Sequence, residues 1–324
     1  MSSTPQVEVV ALSGGVGGAK LALGLQRTLP AGALAIVVNT GDDFEHLGLA
    51  ISPDVDTTLY TLAGIADETR GWGRAGETWL AMAELERLGG PTWFRLGDKD
   101  LALHLERTRR LACGEPPSVI TADFARRLGV PSHIFPMTDD RVRTFVDTSE
   151  GVLEFQHYFV RRRCEPELRR VIIDGAHLAR APAAALGLFA APSLKAVLIC
   201  PSNPYLSIDP ILALQCWTTA LRSARVPVIA VSPLVGGRAI KGPTIKIMAE
   251  LGIATDPTAL ARHYAGLIDG LVIDHEDARW EQSCGIPVMV TSTVMNSLAD
   301  RERLAQETVE FAQQLRPMSS RRTA

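Results

Sequence analysis

The run Val7-Glu8-Val9-Val10-Ala11-Leu12-Ser13-Gly14-Gly15-Val16-Gly17-Gly18-Ala19-Lys20 constrains the fold more than any other stretch. A β-branched segment enters a loop with four glycines, and Leu21-Ala22-Leu23-Gly24-Leu25-Gln26 leaves it as an apolar helix. Such a turn lets backbone N–H groups approach a phosphate, and the helix N-terminus adds a partial positive charge. Two common fingerprints do not fit. Counting from Gly15, the sixth position is Lys20 rather than the glycine of a dinucleotide loop. Ala19-Lys20-Leu21 also lacks the Gly-Lys-Ser/Thr ending of a P-loop. The loop is either a phosphate cradle or a glycine-rich βα turn without a ligand.

At 324 residues the chain has room for one large domain or two smaller ones. A formal charge of −3 gives no reason to expect nucleic acid or an anionic membrane as partner. Met1-Ser2-Ser3-Thr4-Pro5 has neither a basic start nor an apolar core, so no secretion signal is expected. No apolar run approaches the ~20 residues that span a bilayer. The five cysteines are scattered, with no C-x-x-C pair, which argues against disulfides or structural zinc and for a cytoplasmic protein. Cys200, after Val197-Leu198-Ile199, reads as a buried strand residue.

Ala33 to Val38 reads as a second buried parallel strand, which completes a βαβ opening. It ends in Asn39-Thr40-Gly41-Asp42-Asp43, and Asp54-Val55-Asp56 follows soon after. Ligands of open α/β sheets sit beyond the carboxyl ends of strands. Four carboxylates there suggest a hard cation such as Mg²⁺, although Asp54 or Asp56 could instead cap a helix. From 57 to 131 the periodicity is helical, as in Glu77 to Leu88 and Leu101 to Arg110, and an inserted helical subdomain is expected. Within it, Trp93-Phe94-Arg95-Leu96-Gly97-Asp98-Lys99-Asp100 is either a planar-ligand contact or a capped helix start.

A β-hairpin is expected at 142–160, and α/β alternation resumes with strands at 171–173, 195–200, 226–232, 271–274 and 287–291. Their loops hold Asn203, Ser207 and Lys241, which either contact phosphate and sugar oxygens or are loop punctuation beside Pro and Gly. The expected fold is α/β: a Rossmann-like, mostly parallel sheet with helices on both faces and the inserted helical subdomain. The core would span 1–56 and 132–316, and 317–324 would be a disordered tail.

Nine segments in register resemble the 2-phospho-lactate transferase family of coenzyme F-420 biosynthesis. They are Ser-Gly-Gly-Val-Gly-Gly-Ala-Lys at 13–20, Asn-Thr-Gly-Asp-Asp at 39–43, Ile-Ser-Pro-Asp-Val-Asp-Thr at 51–57 and Tyr-Thr-Leu-Ala-Gly at 60–64. Arg-Gly-Trp-Gly at 70–73, Leu-Gly-Asp-Lys-Asp-Leu-Ala at 96–102 and Pro-Met-Thr-Asp-Asp at 136–140 follow. Pro-Ser-Asn-Pro at 201–204 and Val-Ser-Pro-Leu-Val-Gly-Gly at 231–237 complete the set.

The resemblance implies transfer of a phospho-organic acid from a guanosine-diphospho donor to a hydroxyl of the deazaflavin Fo, with release of GMP and use of Mg²⁺. The acid would be of the lactate, enolpyruvate or glycerate type. Matching positions imply that Asp56 and Arg95 contact Fo, with Trp79 and His104 beside them. Asp43, Asp54 and Asp56 would hold or adjoin the metal, and Asp43 and Asp56 would serve catalysis. Ser13, Gly14, Gly15, Val16, Gly17, Asn203, Ser207, Gly237 and Lys241 would line the nucleotide. The Pro204-Tyr205-Leu206-Ser207 stretch is bulkier than the resemblance leads one to expect. A homodimer is expected. The alternative is a nucleotide-sugar-binding regulator of the related gluconeogenesis-factor type.

Overall fold

The computed structural model describes residues 6–239 and 243–317. Strand β1 (Val9–Ser13) leads through helix α1 (Gly15–Thr28) to β2 (Leu34–Val38), and a hairpin of β3 (Phe44–His46) and β4 (Leu49–Ile51) follows. Helices α2 (Pro53–Leu62), α3 (Leu80–Arg87), α4 (Asp98–Ala112) and α5 (Pro117–Arg127) precede β5 (His133–Pro136). Strands β6 (Arg143–Thr148), β7 (Gly151–Glu154) and β8 (Leu168–Asp174) come next, then β9 (Ala196–Ile199) and β10 (Val228–Val231). A ribbon of β11 (Leu234–Val235) and β12 (Arg238–Ala239) precedes β13 (Gly270–Asp274) and β14 (Val288–Thr291).

Seven strands form one parallel sheet in the order β14-β13-β10-β9-β1-β2-β5. Strands β1, β2, β9, β10 and β13 are buried at every position, as a parallel sheet covered on both faces requires. One apolar core, with Trp217 and Leu221, fills one face. The other holds Leu21 and Leu25 of α1, Leu59 of α2, Phe124 of α5 and Leu304 of the C-terminal helix Leu298–Gln314. The expected Rossmann-like α/β architecture is present. Helix α2 crosses the anticipated boundary at 56/57, and α2 and α5 both contribute to this core.

The hairpin expected at 142–160 is part of a three-stranded antiparallel sheet, β7-β6-β8. Its second strand ends at Glu154 because the chain coils through His157–Arg161, which buries Phe155 and Tyr158. Residues 171–173, expected in the main sheet, belong to β8. That strand exposes Arg169 and Arg170, which a central parallel strand could not do. Among the described residues no helix is long and apolar enough to cross a membrane. Met1–Pro5, Lys241 and the end of the tail, 318–324, lie outside the described residues.

Candidate active site

Strand order reverses between β1 and β9, and an open α/β sheet places its ligand in the crevice at such a point. The Gly14 N–H donates to Ser202 Oγ across this crevice at 3.1 Å. The glycines here answer first to packing. A Cβ on Gly17 would stand 2.3 Å from the Pro201 carbonyl oxygen, and one on Gly18 would stand 2.3 Å from Ser13 Oγ. The Asp54 carboxylate lies against the start of α1, where a Cβ on Gly14 would stand 2.6 Å from its Oδ2. A carboxylate therefore occupies the helix terminus where the sequence suggested a phosphate. Lys20 donates to the Met295 carbonyl at 2.8 Å.

Around that loop, Ser207 is buried and faces Gly14, whose Cβ would lie 2.6 Å from the Ser207 Cβ. The Asn203 carbonyl oxygen caps the turn at 204–208 by accepting from the N–H groups of Tyr205 and Leu206, and its amide donates to Thr244 Oγ1. Asn203 thus holds the loop's shape. Gly236 and Gly237 take positive φ, and the Gly236 N–H donates to Asp277 Oδ2 at 3.0 Å.

The acidic residues divide into two groups. Asn39 Nδ2 donates to Asp54 Oδ2 at 3.0 Å and Asp42 Oδ1 at 3.3 Å, and Gln156 donates to the other oxygen of Asp42. Burial first, then the charges of Asp54 and Asp43, push Asp42 well above the usual carboxylate range. Burial lifts Asp54 to about 6 and Asp43 to about 7. Ser52 Oγ donates to Asp43 Oδ2 at 2.9 Å, while Asp43 Oδ1 is buried without a partner.

Asp56 is held separately, although its charge and that of Arg107 both act on Asp43. Two residues along a helix is about 200° of rotation, so Asp54 and Asp56 leave α2 in opposite directions. Arg107 holds both Asp56 oxygens, with Nη1 3.0 Å from Oδ2 and Nη2 on Oδ1. Behind them His104 is 1% exposed; its Nε2 lies 3.3 Å from Asp100 Oδ1, and that oxygen accepts from the Tyr60 hydroxyl. The set Asp43, Asp54 and Asp56 expected for a metal is therefore not assembled. Among the described residues no three His, Cys, Asp or Glu side chains are arranged to hold an ion. Mg²⁺ characteristically takes one or two carboxylates plus waters and substrate phosphates, a role that the unpartnered Asp43 Oδ1 and its acidic neighbours fit.

A cavity of about 230 Å³ opens beside Asp43. Phe44, Val55, Leu111, Ile120 and Pro136 supply apolar walls, while Thr40, Asp43, Arg107 and Arg143 are among its polar lining. Asp56, Arg95, Trp79 and His104 do not line it. Trp79 lies on the insert, with the Arg70 and Arg95 guanidinium carbons 4.6 and 4.7 Å from its ring centre. Sequence reasoning missed Arg107 and Arg143. Asp100, His104 and Arg107, spaced i, i+4, i+7, carried a signal, since they mark one face of α4.

The model of the family "2-phospho-L-lactate transferase CofD" matches residues 9–314. A phosphoenolpyruvate transferase of Streptomyces griseus is 37% identical over 319 residues, covering 96% of this chain and 100% of that protein. One from Mycobacterium tuberculosis is 36% identical over 313 residues, covering 88% of this chain and 94% of its own. Among solved structures, an upf0052-family protein of Bacillus halodurans shares the fold, with a TM-score of 0.60 at 13% identity over 94% of this chain and 99% of its own. With its sheet, acidic strand-end cluster and nearly full-length match, the chain belongs to the CofD 2-phospho-L-lactate transferase family.

Proposed function

We propose that the protein transfers a phospho-acid from a guanosine-diphospho-linked three-carbon acid to a hydroxyl of the deazaflavin Fo, releasing GMP. The observation that carries this reading is the cavity whose apolar walls end at a buried carboxylate with one free oxygen. Relatives at 36–37% identity are phosphoenolpyruvate transferases, and this supports enolpyruvate as the acid. The acceptor ring lies in the slot between Val55, Leu111, Ile120 and Pro136, and its hydroxyl reaches Asp43. Ser52 fixes one Asp43 oxygen, which leaves the other to meet the metal beside the acceptor hydroxyl.

The nucleotide occupies the β1/β9 crevice against Gly14 and Ser207, with Asn203 and Asp277 shaping its loops. Asp43 and Asp54 would hold Mg²⁺, which when bound neutralises the diphosphate. Asp56, outside the cavity, is a positioning residue that holds the cavity-lining Arg107 rather than a ligand. A second reading places the acceptor ring on the insert, because Trp79 between two arginines offers a platform for a planar ligand.

Incubation with Fo, Mg²⁺ and guanosine-diphospho donors of the three acids, read by mass spectrometry, tests the activity. A phosphodiester-extended Fo with GMP is the expected product. No product with any donor, together with tight binding of a nucleotide-sugar, would favour the regulator instead. Ile120→Trp, which fills the slot, should abolish Fo binding while Arg95→Ala preserves it. The reverse result would move the ring to the insert.

A further inference from the structure

Three arginines line the cavity, and two are committed. Arg107 is held by Asp56, and Arg141 has Asp174 at 3.5 Å on the surface. Arg143 differs: its Nη1 donates to the Val142 carbonyl at 2.7 Å, and it has no carboxylate at ion-pair distance among the described residues. Its position is fixed. Arg143 opens β6, and the next residue, Thr144, donates its N–H to the Gly41 carbonyl, which ties β6 to the Thr40–Asp43 turn. Its charge acts on both Asp42 and Asp43. Beside it, Thr40 is 5% exposed and lines the same cavity, and its Oγ1 has no hydrogen-bond partner. Arg143, with free donors, lines the same cavity as Thr40 and Asp43, whose unpartnered hydroxyl and carboxylate oxygens are buried in its wall. That arrangement suits a tetrahedral anion brought next to a hydroxyl.

We infer that Arg143, assisted by the Thr40 hydroxyl, grips the non-bridging oxygens of the phosphoryl group being transferred. The inference rests on the transferase reading given above. In the step, the acceptor hydroxyl oxygen forms a new P–O bond as the P–O bond to GMP breaks. The hydroxyl proton passes to water, and the electron pair of the broken bond leaves on GMP. Arg143 gives up no proton; its fork stabilises charge on the oxygens that remain on phosphorus.

The test compares Arg143→Ala, Arg143→Lys and the parent for steady-state transfer, Fo binding by calorimetry and denaturant stability. Loss of a charge-stabilising donor should lower kcat by about 10²–10³-fold in Arg143→Ala, with Fo affinity unchanged and partial activity in Arg143→Lys. Added guanidinium salt, kept below denaturing concentration, should restore part of the Arg143→Ala rate, which a purely structural role would not allow. A parent enzyme inactive with every donor would sink the transferase reading itself. An active parent with Arg143→Ala within about threefold in kcat, or a loss with no guanidinium rescue and weakened Fo binding, would overturn the role of Arg143 alone.

Discussion

Replacing Asp43 by Asn should stabilise the metal-free protein at pH 8 while destroying activity. Burial holds the Asp43 carboxyl at about 7 in the fold, against a usual value of 3.8. Between those pH values the native state keeps a proton that the unfolded chain has released. Stability therefore falls as pH rises from about 4 to about 7, and the loss persists above it. At 1.36 kcal/mol per pH unit, ionising this buried group costs the fold up to about 4 kcal/mol. Asparagine never ionises, and its carbonyl can still accept from Ser52. Removing the charge also relieves Asp42, whose value Asp43 helps to raise.

Urea denaturation with chelator present, at pH 5 and pH 8, measures the effect. The parent should lose stability between the two, and Asp43→Asn should lose markedly less and exceed the parent at pH 8. Added Mg²⁺ should stabilise the parent more than the variant, since a cation removes the penalty that asparagine never carried. A variant less stable than the parent at pH 8, with an undiminished pH slope, would refute the picture of a desolvated, uncompensated carboxylate.

Other outcomes follow from the same geometry. Arg107→Met strands a buried Asp56 charge and should cost about 3–5 kcal/mol in denaturant unfolding, whereas Asp56→Leu with Arg107→Met should recover most of it. Gly24→Ala sets a Cβ 2.1 Å from the Arg301 carbonyl oxygen and should cost about 3 kcal/mol or more. Gly187→Ala, with nothing within 4 Å, should be stabilising by about 0.4–1 kcal/mol in the same assay.

The parallel sheet was legible because its strands are uninterrupted apolar runs, and Val9 to Leu12 or Val197 to Ile199 have no alternative burial. The acidic cluster was legible as a cluster, but its division was not. Asp54 and Asp56 are neighbours in sequence, and only the helical turn begun at Pro53 sends one to the start of α1 and the other to Arg107. Arg143 carried no signal, because its position depends on β6 meeting the Thr40–Asp43 turn about a hundred residues after β2. The glycines at 17 and 18 looked like ligand chemistry, yet both are also required by the Pro201–Ser202 backbone and side chains pressed against them.

Gly24 lets α1 lie against the helix Leu298–Gln314, so the first helix made by the ribosome is covered by the last. At 5–20 residues per second, roughly 15–60 s separate the synthesis of these two surfaces. Throughout that interval Leu21 and Leu25 have no Leu304 to meet, and for about the first two-thirds of it β1 also waits for β9 on one edge. The nascent chain thus carries an open apolar face for most of its translation. A premature stop before residue 298 would leave that face open permanently, so such fragments should be bound by chaperones or degraded rather than accumulate as folded protein.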